Sequence, residues 1–356
     1  MNNMIKINTK SFNANLKIIN SLISKKDNIT IRNFVNDLQV IATDNVGYKI
    51  IITEKADMNS SINISANGKQ LIKIFSGIKS EFIAIEQKET YLHINNSFAI
   101  ECDIPEYIID NNTFTTVIEM NKNIFDAIID KTNYIAIAKN EHLFFQGTHL
   151  NFESNKLTGC ATDGSRINVI EETTEIKQDA PLSLIIHKDI LNFISKIHGY
   201  KDLIIAKSNK NYCFIVGNII IEFKPIDAKY PDYKKVIPLE FNYIAEFNKL
   251  ELINIIKNSL LVNTDKLDCG IIFNISNKEK CIIYNADETL RNEMNYNRKT
   301  INGLFSIRFN AKFLLDILKI TSGATITMNI YNDITPIVFT DTVNENNKHI
   351  VMPQKI

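Results

Sequence analysis

Apolar residues along this chain follow two rhythms, one at helical spacing and one alternating as strands do. Phe12, Leu16, Ile19 and Ile23 form a stripe with the spacing of one helix face. Runs rich in β-branched residues at 37–42 and 47–54 predict strands. A second helix is predicted over 69–78, with Leu71, Ile74, Phe75 and Ile78 turned inward, and strands over 81–87 and 91–102 close the set. The order starts again at Asn121, where Ile124, Phe125, Ile128 and Ile129 make the next helical stripe. Ile190, Leu191, Ile194 and Ile197 make another near 188–198, and two more helices are predicted near 249–262 and 311–321.

Short motifs keep the same period. Val40-Ile41-Ala42-Thr43-Asp44-Asn45 returns as Gly159-Cys160-Ala161-Thr162-Asp163-Gly164 and, more weakly, as Ile282-Ile283-Tyr284-Asn285-Ala286-Asp287, so the aspartates stand 119 and 124 residues apart. Lys69, Lys188 and Lys312, each opening a helix, keep those same offsets. Two independent features at one spacing predict a tandem of three related domains. Their bounds are 1–116, 117–242 and 243–356, with short links around 111–116 and 238–243. Two helices and about eight strands in each make the fold class α+β, the helices gathered on one face of antiparallel sheets.

A length of 356 residues exceeds one typical core and agrees with several domains. No apolar run reaches the ~18 to 20 residues of a membrane span, and the start lacks a signal-peptide core, so a cytoplasmic protein without membrane contact is expected. The five cysteines show no paired spacing and read as reduced, buried thiols. Forty Lys and Arg against 40 Asp and Glu argue against strong generic adhesion to nucleic acid. The helices nevertheless carry Lys10, Lys17, Lys25, Lys26, Lys69, Lys73, Lys122, Lys131, Lys188, Lys196, Lys249, Lys257, Lys312 and Lys319 on or beside them. These are either ordinary solvated faces or a basic surface that contacts phosphates without reading sequence. No Gly-rich phosphate loop, His-Glu-x-x-His, Gly-x-Ser-x-Gly or Cys-x-x-Cys stretch is present, and the six histidines are scattered. No catalytic residue, metal or cofactor is therefore expected.

Three stretches stand apart. Leu143, Phe145, Leu150, Phe152 and Leu157 alternate ahead of Ala161-Thr162-Asp163-Gly164-Ser165-Arg166, and Ile167-Asn168-Val169-Ile170 follows, the pattern of strand, Asp-Gly turn and strand. Taken alone, it is a turn and nothing more. Lys229-Tyr230-Pro231-Asp232-Tyr233-Lys234-Lys235-Val236-Ile237-Pro238 reads as a proline-bounded link. The terminus, Ile350-Val351-Met352-Pro353-Gln354-Lys355-Ile356, is apolar where chain ends are normally polar and loose. It predicts an edge strand completing the last core, or the border of a groove.

In these three stretches the chain resembles the β subunit of bacterial DNA polymerase III, the sliding-clamp family. That family carries Thr-Asp-Gly-His-Arg-Leu, here Thr162-Asp163-Gly164-Ser165-Arg166-Ile167. It carries Phe-Pro-Asp-Tyr-Arg-Arg-Val-Leu-Pro, here Tyr230 through Pro238, and ends in Val-Met-Pro-Met-Arg-Leu, here Val351 through Ile356. The motifs keep their order and their distances from the chain ends, and the threefold repeat extends the resemblance over the whole chain.

The resemblance implies a non-catalytic processivity factor: a head-to-tail homodimer whose six domains close a ring on double-stranded DNA. Unit one of one chain would meet unit three of the other, with Leu261 and Val262 at the contact. Phosphate contacts would fall on Lys25, Lys26 and Lys139. A pocket between the second and third domains would take an apolar peptide from the replicative polymerase α subunit, clamp-loader subunits, repair polymerases, and ligase or mismatch-repair proteins. Its wall would comprise Phe145 (in a strand before Gly147), Thr162, Gly164, Ser165, Arg166, Ile167, Pro231, Lys235 and Val236. Ile334, Pro336, Ile350, Val351, Met352, Pro353, Gln354 and Lys355 would complete it. Ser165, Lys235, Gln354 and Lys355 depart from the family's His, Arg, Met and Arg, and Lys in place of Arg loses bidentate bonding. Two other readings stand beside the ring: a monomeric peptide-docking protein and an enzyme built on the repeat. Mass in solution separates the first from the ring, which requires twice 40.7 kDa.

Overall fold

A computed structural model describes residues 4–43, 48–105, 114–178, 180–208, 211–262, 269–275, 280–285, 288–300 and 305–356. Asp44, Asn45, Ala286 and Asp287 of the repeated motifs, Gly47 of the predicted strand over 47–54, and 111–113 of the first predicted link lie outside them. The fold is α+β. Its helices are α1 (Thr9–Asn20), α2 (Gly68–Gly77), α3 (Lys122–Thr132), α4 (Lys188–Ile194), α5 (Lys249–Val262) and α6 (Ala311–Ile320), among antiparallel strands.

Asparagine starts most of these helices. Asn8, Asn67 and Asn310 each end a strand and accept a backbone N–H of the following turn, from Ser11, Gln70 and Lys312 at 3.0–3.1 Å. Asn121 and Asn248 do the same for Asn123 and Glu251. A side-chain acceptor at this position satisfies an N–H that the helix leaves without a partner.

Lysines close some of them. Lys69 Nζ donates to the carbonyl of Asn20 (2.9 Å), the last residue of α1. Lys188 Nζ reaches the carbonyls of Tyr134 and Ala136 just past α3 (3.3 and 2.5 Å), and Lys249 Nζ that of Thr321 at the end of α6 (2.7 Å). A cation on the last carbonyls offsets their partial negative charge. Lys69 and Lys188, two of the equally spaced lysines, thus carry a structural duty, and Lys122 is buried.

Two compact units emerge. The first comprises 1–123, 175–181 and 189–225, the second 124–174, 182–188 and 226–356. In the first, Ile5–Asn8 sits in a five-stranded sheet, between Ala56–Asp57 and Phe82–Lys88. A nine-stranded sheet runs from Ile176–Gln178 through Ile219–Phe223 and Lys49–Glu54 to Asn63–Asn67. Phe12 and Phe75, both fully buried, meet edge to face at 5.0 Å between α1 and α2, a geometry that favours ring edges over ring faces. Each such ring contributes about 1.5–3 kcal/mol by burial. Glu54, 4% exposed, is bonded by Ser11 and Asn15 of α1, and burial raises its pKa.

In the second unit a twelve-stranded sheet runs from Leu182–His187 through Lys156–Thr162, Arg166–Thr173 and Lys348–Val351 to the edge strand Phe305–Asn310. Phe247, Phe273, Phe309 and Phe339 pack in succession at 5.6–6.1 Å through its core.

Several expectations need correction. Ile23 is buried but lies past the end of α1, and α4 ends at Ile194, although Ile197 beyond it is buried too. The predicted strand over 91–102 is two strands, Tyr91–Ile94 and Phe98–Glu101, reversed by Asn95 and Asn96 at φ 50° and 55°, a conformation asparagine tolerates. Phe145 lies in a 3-10 turn, Leu143–Gln146, where its alternation with Leu143 predicted a strand. The C-terminal strand stops at Val351 and is interior, between Arg166–Thr173 and Ile337–Asp341, which overturns the edge-strand reading, one of the two given for the terminus. Thr115 and Thr116, placed in a link, begin the strand Thr115–Asn121.

Candidate functional site

The Asp-Gly turn between Lys156–Thr162 and Arg166–Thr173 is tied from within. Thr162 Oγ1 donates to the Arg166 carbonyl (2.8 Å) and accepts the Gly164 N–H (3.1 Å). Asp163 Oδ1 accepts the N–H groups of Ser165 and Arg166 (3.0 and 3.1 Å). Gly164 sits at φ +91°, and a Cβ there would come within 3.3 Å of the Phe145 ring. Glycine answers both the backbone angle and the close approach.

Arg166 is the centre of the turn's polar side. Its Nε pairs with Asp163 Oδ2 (2.9 Å) and its Nη1 with Asp316 Oδ2 of α6 (2.9 Å). The guanidinium lies over the Phe313 ring (4.2 Å) and near that of Tyr134 (5.4 Å). Burial works against its charge, yet the Asp316 and Asp163 carboxylates raise its pKa above the ordinary arginine value. Burial also pushes the Tyr134 hydroxyl upward.

The C-terminal strand joins this turn directly. Arg166 pairs with Val351, Ile167 with Ile350, Asn168 with His349 and Val169 with Lys348, in antiparallel register. Side chains alternate across a strand, so the pair has two unlike faces. Arg166, Asn168, His349 and Val351 share one; Ile167, Val169, Lys348 and Ile350 share the other.

On the polar face Asn168 Nδ2 donates to the Lys131 carbonyl and the Tyr134 hydroxyl (both 2.9 Å). His349 is 1% exposed, and burial lowers its pKa to about 4, with Asp341 opposing and Lys131 reinforcing the shift. Burial works to raise the Asp341 pKa, but N–H donors from Ser322, Val343 and Gly323 hold it below the usual carboxylate value.

On the apolar face Cys160, Val169, Val338 and Ile350 form a buried cluster, covered by Ile167, Tyr230, Tyr233, Ile237 and Phe241. Tyr230 donates its hydroxyl to the Cys160 carbonyl (3.1 Å) and stacks on His149 at 4.6 Å. Burial raises the Tyr230 hydroxyl pKa, takes the Cys160 thiol to about 12 and lowers His149. The chain then turns through the 3-10 segment Tyr233–Val236, leaving Pro231, Lys235 and Val236 exposed, with Lys235 against Asp232 (3.3 Å). Beside it opens a cleft of about 250 Å³ lined by Val169, Tyr233, Lys234, Ile237, Leu239 and Lys348, among others.

The last rung of the ladder is Met352 N–H to the Ser165 carbonyl (3.0 Å), and Gln354 N–H then reaches the Arg308 carbonyl (2.8 Å). The fold therefore brings Phe145, Gly164, Ser165, Ile167, Ile350 and Met352 to one place. Arg166 and Val351 sit on the opposite face, the arginine held by aspartates. Ile334 stands 77% exposed in the loop before Ile337–Asp341, and Pro336 beside it is half-buried. Lys25 and Lys26 lie exposed in the turn after α1, Lys139 is exposed in a bend after α3, and Leu261 and Val262 are exposed at the end of α5.

The residues that the sequence reading missed are Tyr230 as a hydrogen-bonding cover, His349 and Asn168 as buried polar groups, and Arg308. Among the described residues no three His, Cys, Asp or Glu side chains stand close enough to hold a metal, and no helix is long and apolar enough to cross a membrane.

Comparison with known proteins adds a frame. A family model described as DNA polymerase III beta subunit, central domain, matches residues 119–232, and one described as its C-terminal domain matches 234–355. The chain is 25% identical over 348 residues to the beta sliding clamp of Mycoplasma capricolum, covering 90% of this chain and 89% of that one. It is similar in fold to the DNA polymerase III beta subunit of Pseudomonas aeruginosa (TM-score 0.90, 16% identity, 99% of this chain and 100% of that one). A sliding clamp from the same organism bound to griselimycin is similar too (TM-score 0.88, 16% identity, 100% of each chain).

Proposed function

The chain belongs to the DNA polymerase III beta-subunit family, and we propose that it works as a sliding clamp, a non-catalytic processivity factor that encircles duplex DNA. It tethers partners by an apolar peptide held in the cleft beside Ile167 and Ile350. The observation that carries this reading is the pairing of Arg166–Thr173 with Lys348–Val351. That ladder joins two of the three sequence motifs, Tyr230, Tyr233 and Ile237 of the other cover its apolar strip, and an apolar cleft rimmed by a few polar groups is the usual form of a ligand site.

Three domains, 1–116, 117–242 and 243–356, from each of two chains would form the ring. Leu261 is 82% exposed and Val262 41% at the end of α5. An open cleft of about 640 Å³ in the first unit is lined by Ile74, Ile78 and Phe98, with Lys73 and Lys79 at its rim. The helix end of one chain would fill this cleft on the other, and the reciprocal contact would close the dimer. Lys25, Lys26 and Lys139 would meet phosphates, joined by Lys10, Lys17 and Lys196, which remain exposed. Lys69, Lys188 and Lys249 are left out because they hold helix ends. Partners on the cleft would be the replicative polymerase α subunit, clamp-loader subunits, repair polymerases, and ligase or mismatch-repair proteins.

Retention on nicked circular DNA, before and after linearising it at moderate salt, tests the ring. Retention on circles with loss from linear ends supports it. Equal retention on both would mean ordinary electrostatic binding and would end the clamp reading. Deleting 352–356 is expected to abolish peptide binding while the dimer persists, as read by mass in solution.

A further inference from the structure

We infer that Arg308 is a positioning residue for the docking cleft: it fastens the C-terminal tail so that Met352 and Pro353 stand as a fixed wall. The inference rests on the reading of that cleft as the partner site.

The tail leaves its strand at Val351 and would be expected to fray, as chain ends do. It is held at two points. Met352 N–H is bonded to the Ser165 carbonyl at 3.0 Å, on the turn side. Two residues later Gln354 forms an antiparallel bridge with Arg308, donating its N–H to the Arg308 carbonyl at 2.8 Å. Arg308 Nη1 then donates to the Lys355 carbonyl at 3.1 Å. Arg308 thus grips the tail with its backbone and its side chain. Met352, 44% exposed, and Pro353 span the gap between the two anchors.

The neighbouring strand makes room for this grip. A Cβ at Gly270 would stand 2.4 Å from Arg308 Nε and 2.6 Å from Nη2, so the guanidinium lies where only glycine leaves space. The strand carrying Arg308, Phe305–Asn310, runs directly into α6, whose Phe313 and Asp316 hold Arg166. One strand-helix element therefore holds two neighbouring segments: the Asp-Gly turn through Arg166 and the tail through Arg308.

The test compares wild type, Arg308→Ala, Arg308→Lys and a chain lacking 352–356, using fluorescence anisotropy with a labelled apolar peptide from the polymerase α subunit. Losing the side-chain bond is expected to weaken binding about tenfold in Arg308→Ala, with no change in melting midpoint. Lysine restores a donor without the planar fork, so Arg308→Lys should recover part of that loss. Amide exchange at Gln354 should rise in Arg308→Ala while Ile326 and Met328 in the core stay protected. Unchanged affinity in Arg308→Ala, or unchanged exchange at Gln354, overturns the inference. Failure of the wild-type chain to bind the peptide overturns instead the docking reading on which it stands.

Discussion

Lys49–Glu54 against Ile219–Phe223 in the first unit, and Arg166–Thr173 against Lys348–Val351 in the second, each continue a sheet by joining distant stretches of chain. The first join sets Ile50, Ile51 and Ile52 opposite Ile221, Ile220 and Ile219, almost all of them buried, with one Lys49–Glu222 ion pair at its end (3.8 Å). The second puts Arg166, Asn168 and His349 on one face and an apolar strip with an open cleft on the other. Apolar burial is non-directional and insensitive to pH. Buried polar groups demand fixed partners and are costly when left without them. The first join is therefore adhesive, and the second is where register and titration reside.

Placing a charge in the aliphatic join should have the largest effect. Ile221 is 1% exposed and stands between Ile50 on one neighbouring strand and Phe214 on the other, so Ile221→Asp buries a carboxylate between apolar partners. A loss of about 4 kcal/mol or more is expected, read by urea unfolding. A stable Ile221→Asp chain would mean that this join is not adhesive in the sense argued.

The second effect separates the joins by pH. His349 is neutral in the fold, its pKa lowered to about 4 by burial against 6.5 for the ordinary side chain. The unfolded chain takes up the proton first, so the stability from keeping the ring neutral is full above 6.5 and drains away as pH falls towards 4. The total is about 3 kcal/mol. Asp341 and Lys131, the charged groups acting on the ring, oppose one another. Urea unfolding between pH 7.5 and 4.5 should show a steep loss in wild type and a shallower one in His349→Asn. Parallel curves would remove the titrating role.

Next comes Arg166→Lys. It keeps the charge but loses the fork that spans Asp163 and Asp316 and the stacking over Phe313. Because Asp316 is about one-third exposed, solvent recovers part of the loss, and about 2 kcal/mol is expected by the same unfolding measurement.

Much of this contrast was written in local sequence, and the part that was not has a physical reason. Apolar stripes located α1 to α4, since burial at helical spacing needs no knowledge of what lies opposite. The ends were harder. Ile23 and Ile197 belong to the stripe by burial but lie beyond their helices, and Phe145 alternates with Leu143 as a strand residue would while sitting in a 3-10 turn. Equal spacing exposed Lys69 and Lys188 as repeated features. Their duty at Asn20, Tyr134 and Ala136 depends on helix ends about 50 residues away. The Thr162–Ile167 motif marked the candidate site. That Arg166 turns away from the apolar strip follows from its pairing with Val351, a long-range register that no local pattern encodes. His349 read as one scattered histidine for the same cause.

The smallest predicted effect lies on the strip itself. Tyr230 covers the buried cluster and spends its hydroxyl on the Cys160 carbonyl at 3.1 Å, while its ring stacks on His149. Tyr230→Phe keeps the ring and the stack and removes only that bond, leaving a strand carbonyl with one donor fewer. A loss of about 1 kcal/mol in unfolding free energy is expected, the net worth of one buried neutral hydrogen bond. The aliphatic join holds no comparable side-chain bond between its isoleucines, so conservative trimming there, as in Ile220→Val, costs packing alone. Tyr230→Phe should also loosen the lid over Ile167 and Ile350, raising amide exchange at Val169 and Ile350 while Ile50 and Ile52 stay unchanged. Equal protection at both joins in Tyr230→Phe would show that the cover is set by the ring alone, and that the hydroxyl adds nothing to the second join that the first lacks.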